Sequence, residues 1–168
     1  MYVGQRKREQ AEPDRALPSL IDRLKVNDPP DDGHQVEELK QILIRDLTAL
    51  MNSRRYFEDD EDISEQLQES VLNFGIPDFC GSGAAAEQLL ALRRAVRDAI
   101  ARYEPRLRLT GQDPVRIVTR STDGRPVLLL EIQGELRSDP YPVHLRIRTE
   151  IDRETGVCTV RTEEGASD

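Results

Sequence analysis

The chain has 168 residues, of which 32 are acidic and 24 are Lys or Arg, so its formal net charge is −8. Nonspecific binding to DNA or RNA depends on clustered Lys and Arg, so this balance argues against general affinity for nucleic acid. Trp is absent and aromatic residues make up only 4% of the chain. A single domain with an aliphatic core is therefore expected.

The chain shows no signal for export or membrane insertion. Cys80 and Cys158 lie far apart and form no C-x-x-C pair, which favours reduced cytosolic thiols. Basic residues at 6–8 are not followed by an apolar run, and the longest aliphatic run, 127–130, is too short to span a bilayer. We expect a cytoplasmic protein that only its partners would bring to the inner membrane.

The first 33 residues differ in pattern from the rest of the chain. Residues 1–16 are polar and predict a flexible arm. Residues 17–33 predict a short helical docking segment and a linker broken by Pro and Gly. The segment places four apolar side chains on one face, which favours partner binding over packing on its own domain: Leu17, Leu20, Ile21 and Leu24. A single α+β domain is predicted over 34–163, followed by a frayed tail at 164–168.

Helical periodicity dominates the first half of this domain. Apolar residues recur at spacings of three and four over about 35–53, 63–73 and 85–103, which predicts three helices. In the second, Ile63, Leu67, Val71 and Phe74 are predicted to be buried. Gly75 is predicted to follow as a left-handed C-terminal cap, and Pro77 to stop the helix.

From Arg106 onward the apolar period changes to two. Strands are predicted at about 106–109, 115–120, 127–137, 143–151 and 157–161, with a tight hairpin at Asp123-Gly124. In the fourth strand Leu145 and Ile147 should face the core, and His144 and Arg146 the solvent. The fold class is therefore α+β, with N-terminal helices packed on one face of a C-terminal antiparallel meander.

No catalytic, metal or cofactor site is indicated. His34 and His144 are the only histidines, and neither has a partner at zinc-site spacing. The acidic run 58–62 lacks the alternating ligands of a calcium loop. There is no G-x-S-x-G nucleophile motif and no phosphate-binding glycine loop. These patterns predict a protein that is not an enzyme and needs no cofactor.

Glu104 is the acidic residue with the most unusual position. It falls at a predicted helix C-terminus, where negative charge is mildly unfavourable, and arginines surround it in sequence. Pairing with an arginine would resolve this, because guanidinium groups bind carboxylates with two hydrogen bonds. The pair either fixes the corner between helix and strand, which the residues alone favour, or forms a polar hub that a partner contacts.

Three stretches carry a family resemblance: LPSLIDRL at 17–24, SVLNFGIPDF at 70–79 and YEPRL at 103–107. In this order the chain resembles, over about residues 17–160, the baseplate wedge proteins of contractile phages and the TssE subunits of type VI secretion systems. The resemblance implies a structural subunit that binds the TssF and TssG wedge subunits and on which the contractile sheath begins to assemble. It also implies that Glu104, Pro105 and Arg106 lie at the wedge contact.

The last predicted strand is a second candidate for binding. Nothing after 157–161 is predicted to cover it, so Val157, Thr159 and Arg161 form a candidate edge for strands of the sheath. The opposite interpretation is equally open, since short charged edge strands also prevent such pairing.

Two other functions stay open at this point. The family was once labelled lysozyme-like, which suggests a peptidoglycan hydrolase, although no carboxylate pair in a distinctive motif supports it. An adaptor that binds a single partner with the same fold is the other, because fold does not fix function.

Overall fold

The computed structural model describes residues 32–57, 64–68, 70–79, 86–122, 125–138 and 141–163. These residues form α1 (Asp32–Asn52), α2 (Glu65–Gln68), a 3-10 turn (Val71–Asn73), α3 (Ala86–Tyr103), β1 (Leu107–Leu109), β2 (Val115–Thr122), β3 (Arg125–Leu136), β4 (Val143–Asp152) and β5 (Cys158–Glu163). Several predicted segments lie outside the described residues: the arm 1–16, the docking segment with Leu17, Leu20, Ile21 and Leu24, the acidic run 58–62, the loop 81–83 and the tail 164–168.

The two long helices form where the apolar stripes predicted them. In α1 the stripe is buried through Leu39, Leu43, Leu47 and Leu50. In α3 the buried residues are Leu92, Val96, Ala99 and Ile100. Spacings of three and four place these side chains on one face of each helix, and both faces join the same core.

The prediction of a helix over 63–73 is wrong. Among the described residues of this segment, only the four of α2 and the three of the 3-10 turn are helical, and Val71, predicted to be buried, is 83% exposed. The Asn73 side chain explains the break, because its Oδ1 accepts from the Phe57 N–H and its Nδ2 donates to the Gln68 carbonyl. These bonds fold the segment back on the end of α1, so its apolar residues no longer share one helical face.

The sheet is antiparallel throughout and β3 is its centre. On one side of β3 lies β4, and beyond it β5. On the other side β1 and β2 follow each other along β3, with Leu107 opposite Leu136 and Val115 opposite Ile132. Thr122 stands opposite Arg125, so two residues connect β2 and β3, as predicted for the hairpin whose turn, Asp123-Gly124, lies outside the described residues.

The two faces of the sheet differ in chemistry, as the alternation predicted. Leu145 and Ile147 are buried, and the His144 and Arg146 side chains are exposed on the opposite face. Helix α1 packs against β5, and α3 packs against β1 and β2. The predicted α+β class, with helices before the sheet and packed on one of its faces, is therefore confirmed.

Candidate functional site

Glu104, Pro105 and Arg106 form a corner between α3 and β1, called here the E-P-R corner. The Glu104 N–H donates to the Ile100 carbonyl (2.9 Å), which extends the helical bonding by one residue. Arg106 turns back on Glu104, with Nε 2.6 Å from Oε1 and Nη2 2.5 Å from Oε2. The arginine pairing predicted from the sequence is thus present, and it is bidentate.

A third charged side chain completes this corner. Arg106 Nη2 also lies 2.6 Å from Oδ2 of Asp46, which belongs to α1. The hydrogen bond to Glu104, followed by the one to Asp46, raises the pKa of Arg106 above its ordinary value although burial lowers it. One guanidinium therefore joins α1, the end of α3 and the start of β1.

Within the E-P-R corner, the Glu104 side chain is hardly accessible to another molecule. Its residue surface is only 3% exposed and both carboxylate oxygens bind Arg106. Pro105, by contrast, is exposed. The geometry favours the structural interpretation of the pair, and it makes Pro105 the accessible residue of the motif.

The SVLNFGIPDF stretch connects the end of α1 to the end of α3. Ile76 forms a parallel bridge with Arg54, in which the Ile76 N–H donates to the Ser53 carbonyl (3.0 Å). Gly75 has φ +128°, as predicted in sign, and a Cβ there would lie 2.3 Å from the Ser53 oxygen. Gly75 is therefore required by both conformation and space.

The turn before Gly75 is bound to the last turn of α3. Arg102 Nη1 donates to the Gln68 carbonyl (2.8 Å) and the Tyr103 hydroxyl to the Ser70 carbonyl (3.0 Å). These bonds hold two exposed apolar residues, Val71 and Leu72, on a turn attached to the helix end that precedes the E-P-R corner. Sequence reasoning missed this surface because it assigned these residues to a helix.

Strand β5 forms one edge of the described sheet and pairs only with β4. The Asp152 N–H donates to the Val157 carbonyl (3.0 Å), so the backbone of Val157 faces β4. Backbone groups alternate in direction along an antiparallel pair. The N–H and C=O groups of Cys158, Val160 and Thr162 therefore face away from the sheet.

The outward groups do not belong to the residues singled out from the sequence. Thr159 and Arg161 direct their backbone groups to β4, as does the Val157 carbonyl, and the side chains of Thr159 and Arg161 point away from the core. Val160 and Thr162 carry the outward backbone groups, and no described residue bonds to them. The outward residues are therefore one position away from the predicted ones, because the register of β5 against β4 decides which residues face outward.

A groove runs between α1 and the edge of β5, called here the strand groove. It has a volume of ≈ 460 Å³. It is lined by Glu37, Lys40, Gln41, Ile44 and Arg45 of α1 and by Val160, Arg161 and Thr162 of β5. The outward backbone groups of β5 thus face a space that has a helix along one wall.

Within the described residues, neither a metal-binding cluster nor a membrane-spanning helix is present. No group of three or more His, Cys, Asp or Glu side chains there is placed to hold a metal ion. None of their helices combines the length and the apolar character that crossing a membrane requires.

Comparison with known proteins assigns a family. A family model described as baseplate wedge protein gp25 matches residues 37–141, more than half of the chain. The match contains the SVLNFGIPDF stretch and the E-P-R corner, and it ends before β4. Searches of curated proteins and of solved structures give no significant match. The resemblance noted in the sequence is thus confirmed, and the chain belongs to the gp25 family of baseplate wedge proteins.

Proposed function

We propose that the chain is a structural wedge subunit of a bacterial type VI secretion baseplate, that it binds TssF and TssG, and that sheath subunits add strands to its β5 edge. Membership of the gp25 family supports the baseplate role. The type VI assignment and the partners rest on the resemblance to TssE. The observation that carries the sheath contact is the pair of outward backbone positions at Val160 and Thr162 beside the strand groove.

Strand addition needs unpaired backbone groups and room for a further strand. Val160 and Thr162 offer two N–H and two C=O groups at the two-residue spacing that a neighbouring strand can bond. Helix α1 lies along the same edge, so an added strand would bury side chains in the strand groove between Ile44 and Val160. Backbone bonds would then supply affinity, and the groove would select the side chains.

The opposite edge of the sheet suits strand addition less well. There β1 and β2 are separated by residues 110–114, where the chain leaves the strand direction. The Thr110 N–H in this gap donates to the Gln133 carbonyl of β3. An added strand would meet a break after three residues of β1, whereas on β5 the outward positions Val160 and Thr162 lie in one continuous strand.

The contact with TssF and TssG is proposed at the surface around the E-P-R corner. Pro105 is exposed there, while Glu104 and Arg106 hold its backbone in place. Val71 and Leu72 lie on the turn that Arg102 and Tyr103 bind, and they add apolar area that the fold does not use. Adjacent exposed apolar side chains of this kind are typical of a binding surface. The docking segment with Leu17, Leu20, Ile21 and Leu24 is proposed to add to the same assembly.

Catalysis is not part of the proposal. A hydrolase of the lysozyme type needs a carboxyl group that exchanges a proton with its substrate. Glu104 is buried and bonded to Arg106 through both oxygens, so it is a poor candidate. We therefore infer a cytoplasmic structural protein held near the inner membrane by its partners.

A proline at an outward position tests the sheath contact. Thr162→Pro removes an N–H that faces away from β4, so the fold should be kept while strand addition is blocked. Thr162→Val keeps the N–H and is the matched control. The tagged chain is co-expressed with TssF, TssG and sheath subunits, and the recovered proteins are quantified by mass spectrometry.

The expected result is a loss of sheath subunits with Thr162→Pro alone and unchanged recovery of TssF and TssG. Full sheath recovery with Thr162→Pro would show that another surface binds the sheath. Recovery of none of these subunits by the wild-type chain would refute the baseplate role. A stable one-to-one complex with an unrelated protein would support the adaptor function instead.

A further inference from the structure

The first outward position of β5 is already occupied by a side chain. Asn52, the last residue of α1, donates from Nδ2 to the Cys158 carbonyl (2.8 Å). The Cys158 N–H donates to Asn52 Oδ1 (2.9 Å). The amide of Asn52 thus bonds both backbone groups that Cys158 directs away from the sheet.

These two bonds are the ones that a residue of a neighbouring strand would form. In a hydrogen-bonded antiparallel pair, two residues exchange N–H and C=O bonds in both directions. Asn52 supplies one donor and one acceptor at the same place. A strand approaching β5 therefore finds Cys158 closed and the next two outward positions, Val160 and Thr162, open.

We propose that Asn52 sets the register of the strand that adds to β5, by closing Cys158 and confining pairing to Val160 and Thr162. This inference rests on the proposed strand addition at β5. If Cys158 were open, the β5 edge would offer an added strand three equivalent outward residues, and the strand could shift along the edge by two residues. With Cys158 closed, pairing cannot extend past Val160 towards Cys158, so Asn52 limits how far the strand can slide in that direction and is a positioning residue for it.

The side chains around the open positions define the kind of strand that fits. Residues of the added strand next to Val160 would point to the core side, against Ile44 of α1, and should be apolar. The neighbouring residue would point to the other face, next to Arg161. Arg161 stands opposite Arg148, which already binds Glu131 and Glu163. An acidic residue beside Arg161 is therefore favoured.

The partner is thus an extended segment in which an apolar residue and an acidic residue follow each other. The apolar side chain would fill the strand groove and the carboxylate would lie on the outer face. A segment of the sheath subunit with this pattern is the occupant that we propose. A second copy of this chain is disfavoured, because two β5 edges would place Arg161 residues on the same face of one sheet.

Hydrogen exchange at single amides separates the register role from a merely structural one. The free chain and its complex with co-expressed sheath subunits are compared by mass spectrometry with residue-level fragmentation. In the free wild-type chain, the Cys158 amide should exchange at least about tenfold more slowly than those of Val160 and Thr162. In the complex, the Val160 and Thr162 amides should slow down by a similar factor.

Two variants of Asn52 then test its role. Asn52→Ala opens Cys158, so its amide should exchange fast in the free chain and become protected in the complex, as the strand extends or slides. Asn52→Asp keeps an acceptor for the Cys158 N–H and loses the donor to the Cys158 carbonyl. The Cys158 amide should then stay protected in the free chain. Because Asp has nearly the same volume as Asn, this variant separates the loss of the hydrogen bond in Asn52→Ala from the loss of side-chain volume.

The outcomes distinguish this inference from the proposed function. If binding leaves the Val160 and Thr162 amides of the wild-type chain unprotected, strand addition at β5 is wrong. If these two amides are protected but the complex of Asn52→Ala leaves Cys158 exchanging fast, strand addition stands and the register role is refuted. A Cys158 amide that is fast in the free wild-type chain would also refute the register role.

Discussion

The E-P-R corner and the β5 edge use their polar groups in opposite ways. At the corner, Arg106 turns inward and binds two carboxylates, one from its sequence neighbour Glu104 and one from the distant Asp46. At the edge, the polar groups are those of the backbone, and two residues leave them directed outward. The corner is complete within one molecule, whereas at the edge the outward groups of Val160 and Thr162 bond to no described residue.

This difference separates what holds the fold from what is offered to a partner. The corner is conspicuous in sequence because Glu, Pro and Arg follow each other at a helix end. The edge has no recognisable sequence motif, since almost every residue supplies the same backbone groups. A distinctive motif can thus serve the fold, while the binding element that we propose is formed by backbone atoms that every residue has.

The corner should respond most strongly to Arg106→Ala. The change leaves the buried Glu104 carboxylate without its partner and releases Asp46 from the contact between helix and sheet. Removing one member of a buried ion pair costs about 3–5 kcal/mol of unfolding free energy. Urea denaturation of the purified chain measures this loss.

A matched double mutant sharpens the assignment. In Glu104→Gln/Arg106→Ala the unpaired charge is absent, so part of the lost stability should return. A single Arg106→Ala variant with wild-type stability and no binding of TssF or TssG would reverse the comparison, because the corner would then be an interface.

Gly75→Ala should have the next largest effect. Its Cβ would meet the Ser53 carbonyl oxygen, and its φ of +128° strains any residue that carries a side chain. Together these should lower the unfolding free energy by about 2–4 kcal/mol. Gly111→Ala is the control, since φ there is also positive but the nearest atom to a Cβ is 3.9 Å away. Equal losses for both variants would mean that backbone strain alone matters.

The smallest effect is expected on the outer face of the sheet. Arg108 Nη2 lies 2.6 Å from Glu135 Oε2, but the Arg108 side chain is 64% exposed. Because exposed ion pairs contribute little, Arg108→Ala should change the unfolding free energy by less than about 1 kcal/mol, and salt should reduce the difference further. A loss as large as that of Arg106→Ala would contradict the distinction between the two arginines.

Most of the fold was predictable from the sequence. The apolar period fixed both long helices, and the alternation of Leu145 with His144 and Arg146 fixed the faces of β4. The helix predicted over 63–73 failed because its apolar spacing resembles that of a helix. Its backbone follows the side-chain bonds of Asn73 and the close approach of Gly75 to Ser53, neither of which a periodicity can show.

The site was predictable in smaller part. Local sequence suggested that Glu104 pairs with an arginine, since Arg102, Arg106 and Arg108 lie close to it, but it did not select Arg106 among them. Asp46 was not identified, because 60 residues lie between it and Arg106. Its position beside the buried stripe of α1 was the one available signal. The outward groups of Val160 and Thr162 depend on the register of β5 against β4, which a single sequence does not specify.

The central position of β3 has a mechanical consequence. Its residues pair with β1 and β2 on one side and with β4 on the other, and β4 in turn pairs with β5 over six positions. A pull along β5 would stretch these bonds together rather than break them one after another. Tension that reaches the edge is therefore spread over the whole sheet, as the proposed attachment of a contracting sheath would require.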